Sequence, residues 1–331
     1  MIKVGIIGFG YMGVTHAINI LRSKKLELRA IVTSKSENIE KIITQSKGNI
    51  ETGFVKPDNL KDVKSYTNME ECLKKEELDA LHICVHTKYH YDQTKKALLN
   101  GKHVLLEKPM CLDVSQGKEL IGLAKMNNLV LMVAHVVRFM PSYQLLKEWI
   151  DTKKYGNLDF LYLSRISGTP AWGAWKEPSV KKSSGGALFD LLIHDIDFMQ
   201  YALGQPSKIE NYNMPGNLSD YDYINSLWSF ENLAVKGIIE GGNIFHSKFP
   251  FECRYKAKFK EASVEYSSKN PDCIVVGTDK MMEKVEVKGG LEKGYPNEIE
   301  YFADCLIKNQ WPDICSPESS LRAIELCYMH I

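Results

Sequence analysis

The sequence predicts an α/β protein: an N-terminal doubly wound parallel sheet, then a second α/β domain with a large, open, mainly antiparallel sheet. Three observations predict it. A β-rich run, Ile2 to Ile7, breaks at Gly8-Phe9-Gly10-Tyr11-Met12-Gly13 and leads into an amphipathic helix and a second strand, Leu28 to Val32. Strand and helix patterns then alternate as far as residue 135, the mark of parallel βαβ units. Beyond that point strand-like runs follow one another with turn signals between them, as in antiparallel sheets. The boundary divides the 331 residues into 1–135 and 136–331.

In the spacing G-x-G-x-x-G each glycine has a task. Gly8 makes the tight turn, Gly10 lets the backbone approach a pyrophosphate, and Gly13 lets helix and strand pack closely. The helix start adds free N–H groups and a positive dipole end. Strand, turn, helix and strand together predict a dinucleotide-binding Rossmann domain, with Gly8, Phe9, Gly10, Tyr11, Met12 and Gly13 around the cofactor phosphates. The second strand ends in Val32-Thr33-Ser34-Lys35-Ser36, with no acid for a ribose 2′-hydroxyl. Ser34 and Lys35 can instead hold a 2′-phosphate. The expected cofactor is therefore NAD(P), leaning to NADP. The alternative is a plain polar loop with an N-cap at Ser36.

Lys35 to Ser46 reads as helix, and Asn49 to Asp62 as mixed and turn-rich. Asn68 to Lys75 is a short helix with Asn68 as N-cap. Leu78 to Val85 is the next strand, followed by His86 and a helix ending at Asn100-Gly101. His82, His86 and His90 are spaced four apart. A strand repeats its side-chain direction every two residues, so the rings are not expected to converge, and no metal site is expected. His90 is placed at the start of the helix, near the cofactor, with Val85 and His86 beside it. Val104 to Leu106 is a buried strand that ends in Glu107-Lys108-Pro109. Proline stops the ladder. Glu107 and Lys108 then stand at the carboxyl end of a parallel strand, the edge where ligands bind. A surface Glu–Lys pair is the alternative reading. Asp113 caps a helix to Asn127, and Leu129 to Ala134 is the last strand of the first domain.

The second half opens with a helix, Ser142 to Thr152, and an alternating strand, Leu158 to Ser167. An aromatic loop, Pro170 to Trp175, and Ser183-Ser184-Gly185-Gly186 precede a long helix, Ala187 to Leu203. Strands are expected at Ile209–Met214, Tyr223–Phe230, Ala234–Glu240, Phe251–Phe259, Ala262–Tyr266, Ile274–Val276 and Lys284–Val287. Helices are expected at Pro296 to Lys308 and Pro317 to His330. On the long helix Asp190 and His194 stand one turn apart. A carboxylate beside a histidine fixes its tautomer and stabilises the imidazolium, as a general base for an alcohol requires. A structural Asp–His pair has the same spacing.

The motifs together resemble the glucose–fructose oxidoreductase / inositol dehydrogenase (Gfo/Idh/MocA) family. They are Gly8-x-Gly10-x-x-Gly13, Glu107-Lys108-Pro109, Arg138-Phe139-x-Pro141, the run from Gly185 to Asp197 with Asp190 and His194, and Asn297-Glu298-x-x-x-Phe302-x-Asp304-Cys305. The resemblance implies an active site between a Rossmann domain and a substrate and oligomerisation domain. It implies a homodimer or homotetramer built on the outer sheet face. It also implies that Lys108 hydrogen-bonds the substrate oxygen, that His194 takes the hydroxyl proton, and that Asp190 orients His194. Many members carry proline at the position of His86, so the role of that side chain is open. The implied substrate is a sugar, inositol or related polyol. Trp172, Trp175 and Tyr295 can offer faces to a sugar ring, or serve as core or oligomer contacts. Arg138 is a further substrate candidate. Relatives that reduce biliverdin, imines or diketones or oxidise dihydrodiols, and nucleotide-sensing regulators of the same fold, are the alternatives.

Composition narrows the partners. The net charge is +1, with 25% charged residues, so no basic field draws in nucleic acid. Six arginines leave few bidentate clamps for a highly phosphorylated substrate. Eight cysteines without C-x-x-C pairs suit buried free thiols and a reducing cytoplasm. No apolar run approaches the roughly 20 residues that span a bilayer, and the opening strand does not read as a secretory signal. The pattern breaks off at Ile331, so the protein is expected to run on slightly.

Overall fold

The computed structural model describes residues 1–34, 42–43, 50, 57–171, 185–231 and 233–331. Lys35, the helix expected from it, Ser36, Trp172, Trp175 and Ser183-Ser184 lie outside the described residues. By its internal contacts the chain forms two compact units. One joins Met1–His135 with Tyr295–Leu321, and the other joins Val136–Gly294 with Arg322–Ile331.

The first unit carries a six-stranded, all-parallel sheet in the order β3-β2-β1-β4-β5-β6. Its elements run β1 (Ile2–Ile7), α1 (Tyr11–Arg22), β2 (Leu26–Val32), β3 (Lys64–Tyr66), α2 (Met69–Lys75), β4 (Ala80–Ile83), α3 (His90–Leu99), β5 (His103–Glu107), α4 (Val114–Met126) and β6 (Leu131–Ala134). The strand order reverses between β1 and β4, the switch point beside which such sheets bind ligands. Val104, Leu105 and Leu106 of β5 are all fully buried, as a central parallel strand requires. Each such side chain stabilises the fold by about 1.5–3 kcal/mol. The Asn68 side chain accepts from Glu71 N at 2.8 Å, and Asp113 accepts from Ser115 N at 2.7 Å, so both expected N-caps form. The short edge strand β3 has no counterpart in the sequence reading. It pairs with β2 over three residues, and two of its three side chains are exposed, so it shows no apolar run.

The second unit begins with α5 (Pro141–Asp151) and β7 (Leu158–Gly168). A π-helical segment, Leu188–Leu192, runs into α6 (Ile193–Leu203). The strands β8 (Lys208–Met214), β9 (Tyr223–Phe230), β10 (Leu233–Phe245), β11 (Glu252–Phe259), β12 (Ser263–Ser267), β13 (Cys273–Gly277) and β14 (Met282–Glu286) complete an eight-stranded sheet. Its order is β14-β13-β12-β11-β7-β10-β9-β8, antiparallel except between β7 and β10. β10 continues through Gly241-Gly242, where the sequence suggests a stop, because both glycines pair with β7 and with β9.

One face of this sheet is the core. Burial alternates along β11, with Cys253, Tyr255, Ala257 and Phe259 inward. Helices α5 and α6 cover them. Tyr143 stacks edge-on against Phe198 at 4.9 Å and Tyr255 at 5.3 Å, and Tyr255 Oη donates to Ser142 O at 2.9 Å. The last two helices are α7 (Gly294–Lys308) and α8 (Pro317–Tyr328). From Tyr295, α7 belongs to the first unit, so Glu298 and Phe302 pack there. All eight cysteines are free thiols, and all but Cys273 are buried. Among the described residues no helix is long and apolar enough to cross a membrane.

Candidate active site

In the first unit the glycine turn closes on itself. Gly8 has φ +92°, and a Cβ there would lie 2.6 Å from Cys84 O. A Cβ on Gly13 would lie 2.2 Å from Gly8 O. Helix and strand therefore touch through bare backbone. Gly10 is different: nothing stands within 4 Å of its Cβ position, and the residue is exposed. It caps α1, which has no acidic residue in its first turn. An open backbone and a helix start free of negative charge fit a dinucleotide pyrophosphate. Phe9 is buried, while Tyr11 and Met12 are partly exposed. Ser34 is exposed directly after β2, and Thr33 N donates to Tyr66 O at 2.9 Å.

Glu107 ends β5, and the Lys108–Pro109 peptide that follows is cis. Lys108 is partly exposed. Its backbone N donates to Glu107 Oε2 at 3.3 Å. The other oxygen, Glu107 Oε1, lies 3.0 Å from His16 Nε2 on α1. His16 Nδ1 in turn lies 2.9 Å from His82 Nδ1 on β4. A carboxylate accepts, so His16 donates from Nε2, and one of the two facing Nδ1 atoms donates to the other. Both rings are fully buried. Burial first, and then the nearby His16, push the His82 pKa well below the usual imidazole range. Glu298 on α7 is also fully buried, and among the described residues neither carboxyl oxygen has a hydrogen-bond partner. Burial and, second, Glu107 push its carboxyl well above the usual range, so it is held neutral.

His82, His86 and His90 go three separate ways. His82 joins His16, and His86 is exposed in the turn after β4. His90 is 1% exposed, with Nδ1 2.6 Å from Pro109 O and Nε2 2.9 Å from Val85 O. Its ring thus spans the turn after β4 and the turn after β5.

In the second unit Asp190 lies inside the π-helical segment and His194 in the first turn of α6. Both are partly exposed. π-helical turns are frequent at functional sites. The residues after His194 anchor the helix. Asp195 receives Arg165 of β7 at 2.6 Å and 3.3 Å. Asp197 receives Arg138 at 2.7 Å and 2.5 Å. All four are at most 2% exposed. Burial pushes the Asp195 carboxyl up and Arg165 pulls it back; the two-pronged geometry is that of an ionised pair. Arg138, a substrate candidate by sequence, is committed to Asp197. Tyr295 is 7% exposed, in the first unit. Upstream of Asp190, fully buried Asp222 accepts from Ala187 N at 3.2 Å and from Leu218 N at 2.6 Å, tying down the helix start.

The sequence reading missed His16, Arg165 and Asp222. Two signals were present. His82 sits in a wholly buried strand, so its ring needs a polar partner. Asp195 and Asp197 sit among apolar residues, and buried carboxylates call for arginine.

The parallel sheet, its switch point and the glycine turn define a dinucleotide-binding α/β protein. Family models then match nearly the whole chain: an oxidoreductase family with an NAD-binding Rossmann fold over residues 2–135, and its C-terminal alpha/beta domain over residues 147–330. The chain belongs to the Gfo/Idh/MocA oxidoreductase family. It is 35% identical over 150 residues to the uncharacterized oxidoreductase sll0816 of Synechocystis, a match covering 44% of this chain and 40% of that relative. It is 24% identical to scyllo-inositol 2-dehydrogenase (NADP(+)) IolW of Bacillus subtilis over 79% of this chain and 68% of that one. A putative NADPH-dependent oxidoreductase from Desulfitobacterium hafniense shares the fold, with TM-score 0.81 and 20% identity over 99% of this chain and 94% of the other.

Proposed function

We propose that this protein transfers a hydride between a nicotinamide cofactor and a hydroxyl-bearing carbon of a sugar, inositol or related polyol. The observation that carries the proposal is Lys108, partly exposed at the carboxyl end of β5, on the same sheet as the open Gly10 turn. When bound, the nicotinamide supplies the hydride acceptor or donor. The chain supplies the rest. The Gly8–Gly13 turn and the α1 N-terminus hold the phosphates through backbone N–H groups. Lys108 donates a hydrogen bond to the substrate oxygen and stabilises the charge that develops on it. His194 accepts the hydroxyl proton, and Asp190 orients the ring. Val85, His86 and Glu107 line the cofactor's nicotinamide end.

The polyol class draws support from the relative IolW, a scyllo-inositol 2-dehydrogenase. The lean to NADP rests on Thr33-Ser34, where NAD enzymes usually carry an acid. A homodimer or homotetramer is the expected assembly; a native mass at the 37.6 kDa of one chain would refute it.

A panel of inositols, polyols and keto-sugars, followed at the nicotinamide absorbance with both cofactors, tests the reading. Turnover is expected on at least one, with higher kcat/KM for NADP. Lys108→Ala and His194→Ala should each lower kcat about 100-fold or more while NADPH still binds. Near-normal turnover in His194→Ala sinks the base assignment. Tight NADPH binding without any turnover favours a nucleotide-sensing regulator.

A further inference from the structure

We propose that His16 and His90 form a clamp that positions Lys108 by gripping the residue on each side of it. The inference rests on the reading above, in which Lys108 meets the substrate oxygen. Its basis is geometric. Before Lys108, Glu107 is held by His16 at 3.0 Å, and the second carboxylate oxygen takes the Lys108 backbone N–H at 3.3 Å. After Lys108, Pro109 O is held by His90 at 2.6 Å. Proline has no N–H of its own, so the ladder ends at this point and the turn needs other anchors.

The two arms differ in what backs them. Behind His16 stands His82, whose Nδ1 lies 2.9 Å from His16 Nδ1 and braces the ring from the other side. The contacts run unbroken from β4 through α1 to β5. Behind His90 stands Val85 O, at 2.9 Å from the other ring nitrogen. Carbonyl oxygens accept only, so whichever His90 nitrogen carries the proton donates to one of them. Burial, the largest influence, lowers the His90 pKa, and Lys108 adds to it; the two carbonyls and Glu107 oppose the shift without reversing it. The clamp thereby ties the turn after β4 to the turn after β5, two loops that the proposed function places around the nicotinamide. Neither histidine need touch substrate: they are positioning residues.

The test compares His16→Leu, His16→Gln, His90→Phe and Lys108→Ala, using NADPH binding and turnover of the best substrate in the panel. His16→Leu and His90→Phe are each expected to lower kcat about 10-fold to 100-fold, the scale of a small misplacement. The dissociation constant for NADPH should change less than about threefold, as the phosphate turn is left intact. His16→Gln, whose amide both donates and accepts, should recover most of the lost rate. Folded His16→Leu and His90→Phe variants with kcat within twofold of the parent overturn the clamp. If Lys108→Ala is inactive in the same series, the clamp alone has failed; if Lys108→Ala is active, the reading beneath it has failed too. Should the histidine variants not fold, 15N NMR of the parent's histidine rings decides. A protonated Nε2 bonded to Glu107 is expected for His16, and a bare Nε2 signal there overturns the clamp.

Discussion

The turn after β5 and the helix that carries His194 solve one problem by different means. Each holds a proposed reactive side chain through its neighbours in sequence. Around Lys108 the hold is a chain of hydrogen bonds through two buried imidazoles to one carboxylate. Around His194 it is two buried ion pairs, made by residues one and three positions further on. The ion pairs fix a whole helix against the Arg165 strand and Arg138 with strong, directional contacts. The imidazole chain fixes a single turn and depends on where each proton sits. The helix should therefore fail through stability, and the turn through rate.

The largest expected effect follows from that contrast. Asp195→Ala strands the Arg165 charge in the core and should lower unfolding free energy by about 3–5 kcal/mol, read from urea denaturation. Replacing the pair together, with Arg165→Met and Asp195→Leu, should recover most of that loss. A double variant as unstable as the single one would show that the pair contributes specificity rather than a balanced charge.

A smaller effect, with a definite sign, is expected from Glu298→Gln. The folded protein keeps this carboxyl protonated well above its ordinary pKa of 4.5. Below that pH both states hold the proton and the group contributes nothing pH-dependent. As pH rises, the unfolded chain releases the proton while the folded chain keeps it, so stability falls toward the folded pKa. Relative to the parent, Glu298→Gln should gain stability between pH 4.5 and neutrality. Parallel pH profiles of Tm would refute a neutral Glu298. The smallest effect sets the scale: Asn68→Ala, remote from both turns, should cost about 1 kcal/mol by removing an N-cap. Its kinetic constants should match the parent's.

These differences also mark what the chain discloses before folding. Local patterns carried the fold. The β5 run, the caps at Asn68 and Asp113 and the alternation along β11 are properties of adjacent residues, and they form where expected. What stayed hidden depends on distance along the chain. His16 meets His82 across 66 residues and Glu107 across 91. Three histidines four apart invited comparison with one another, while their partners lay elsewhere. Arg138 was legible as a scarce cation, but its partner Asp197 is 59 residues on. The π turn at Asp190 is a matter of which carbonyl each N–H finds, and residue types alone do not encode it.

The crowding of Gly13 on Gly8, and of Gly8 on the end of β4, sets limits on how this protein can change. Where backbone meets backbone there is no side chain to vary, so Gly8 and Gly13 offer almost no route for gradual adaptation. A library built there would return mostly dead variants. Ser34, exposed just past β2, is by contrast a place where the surface can be rewritten without moving the frame.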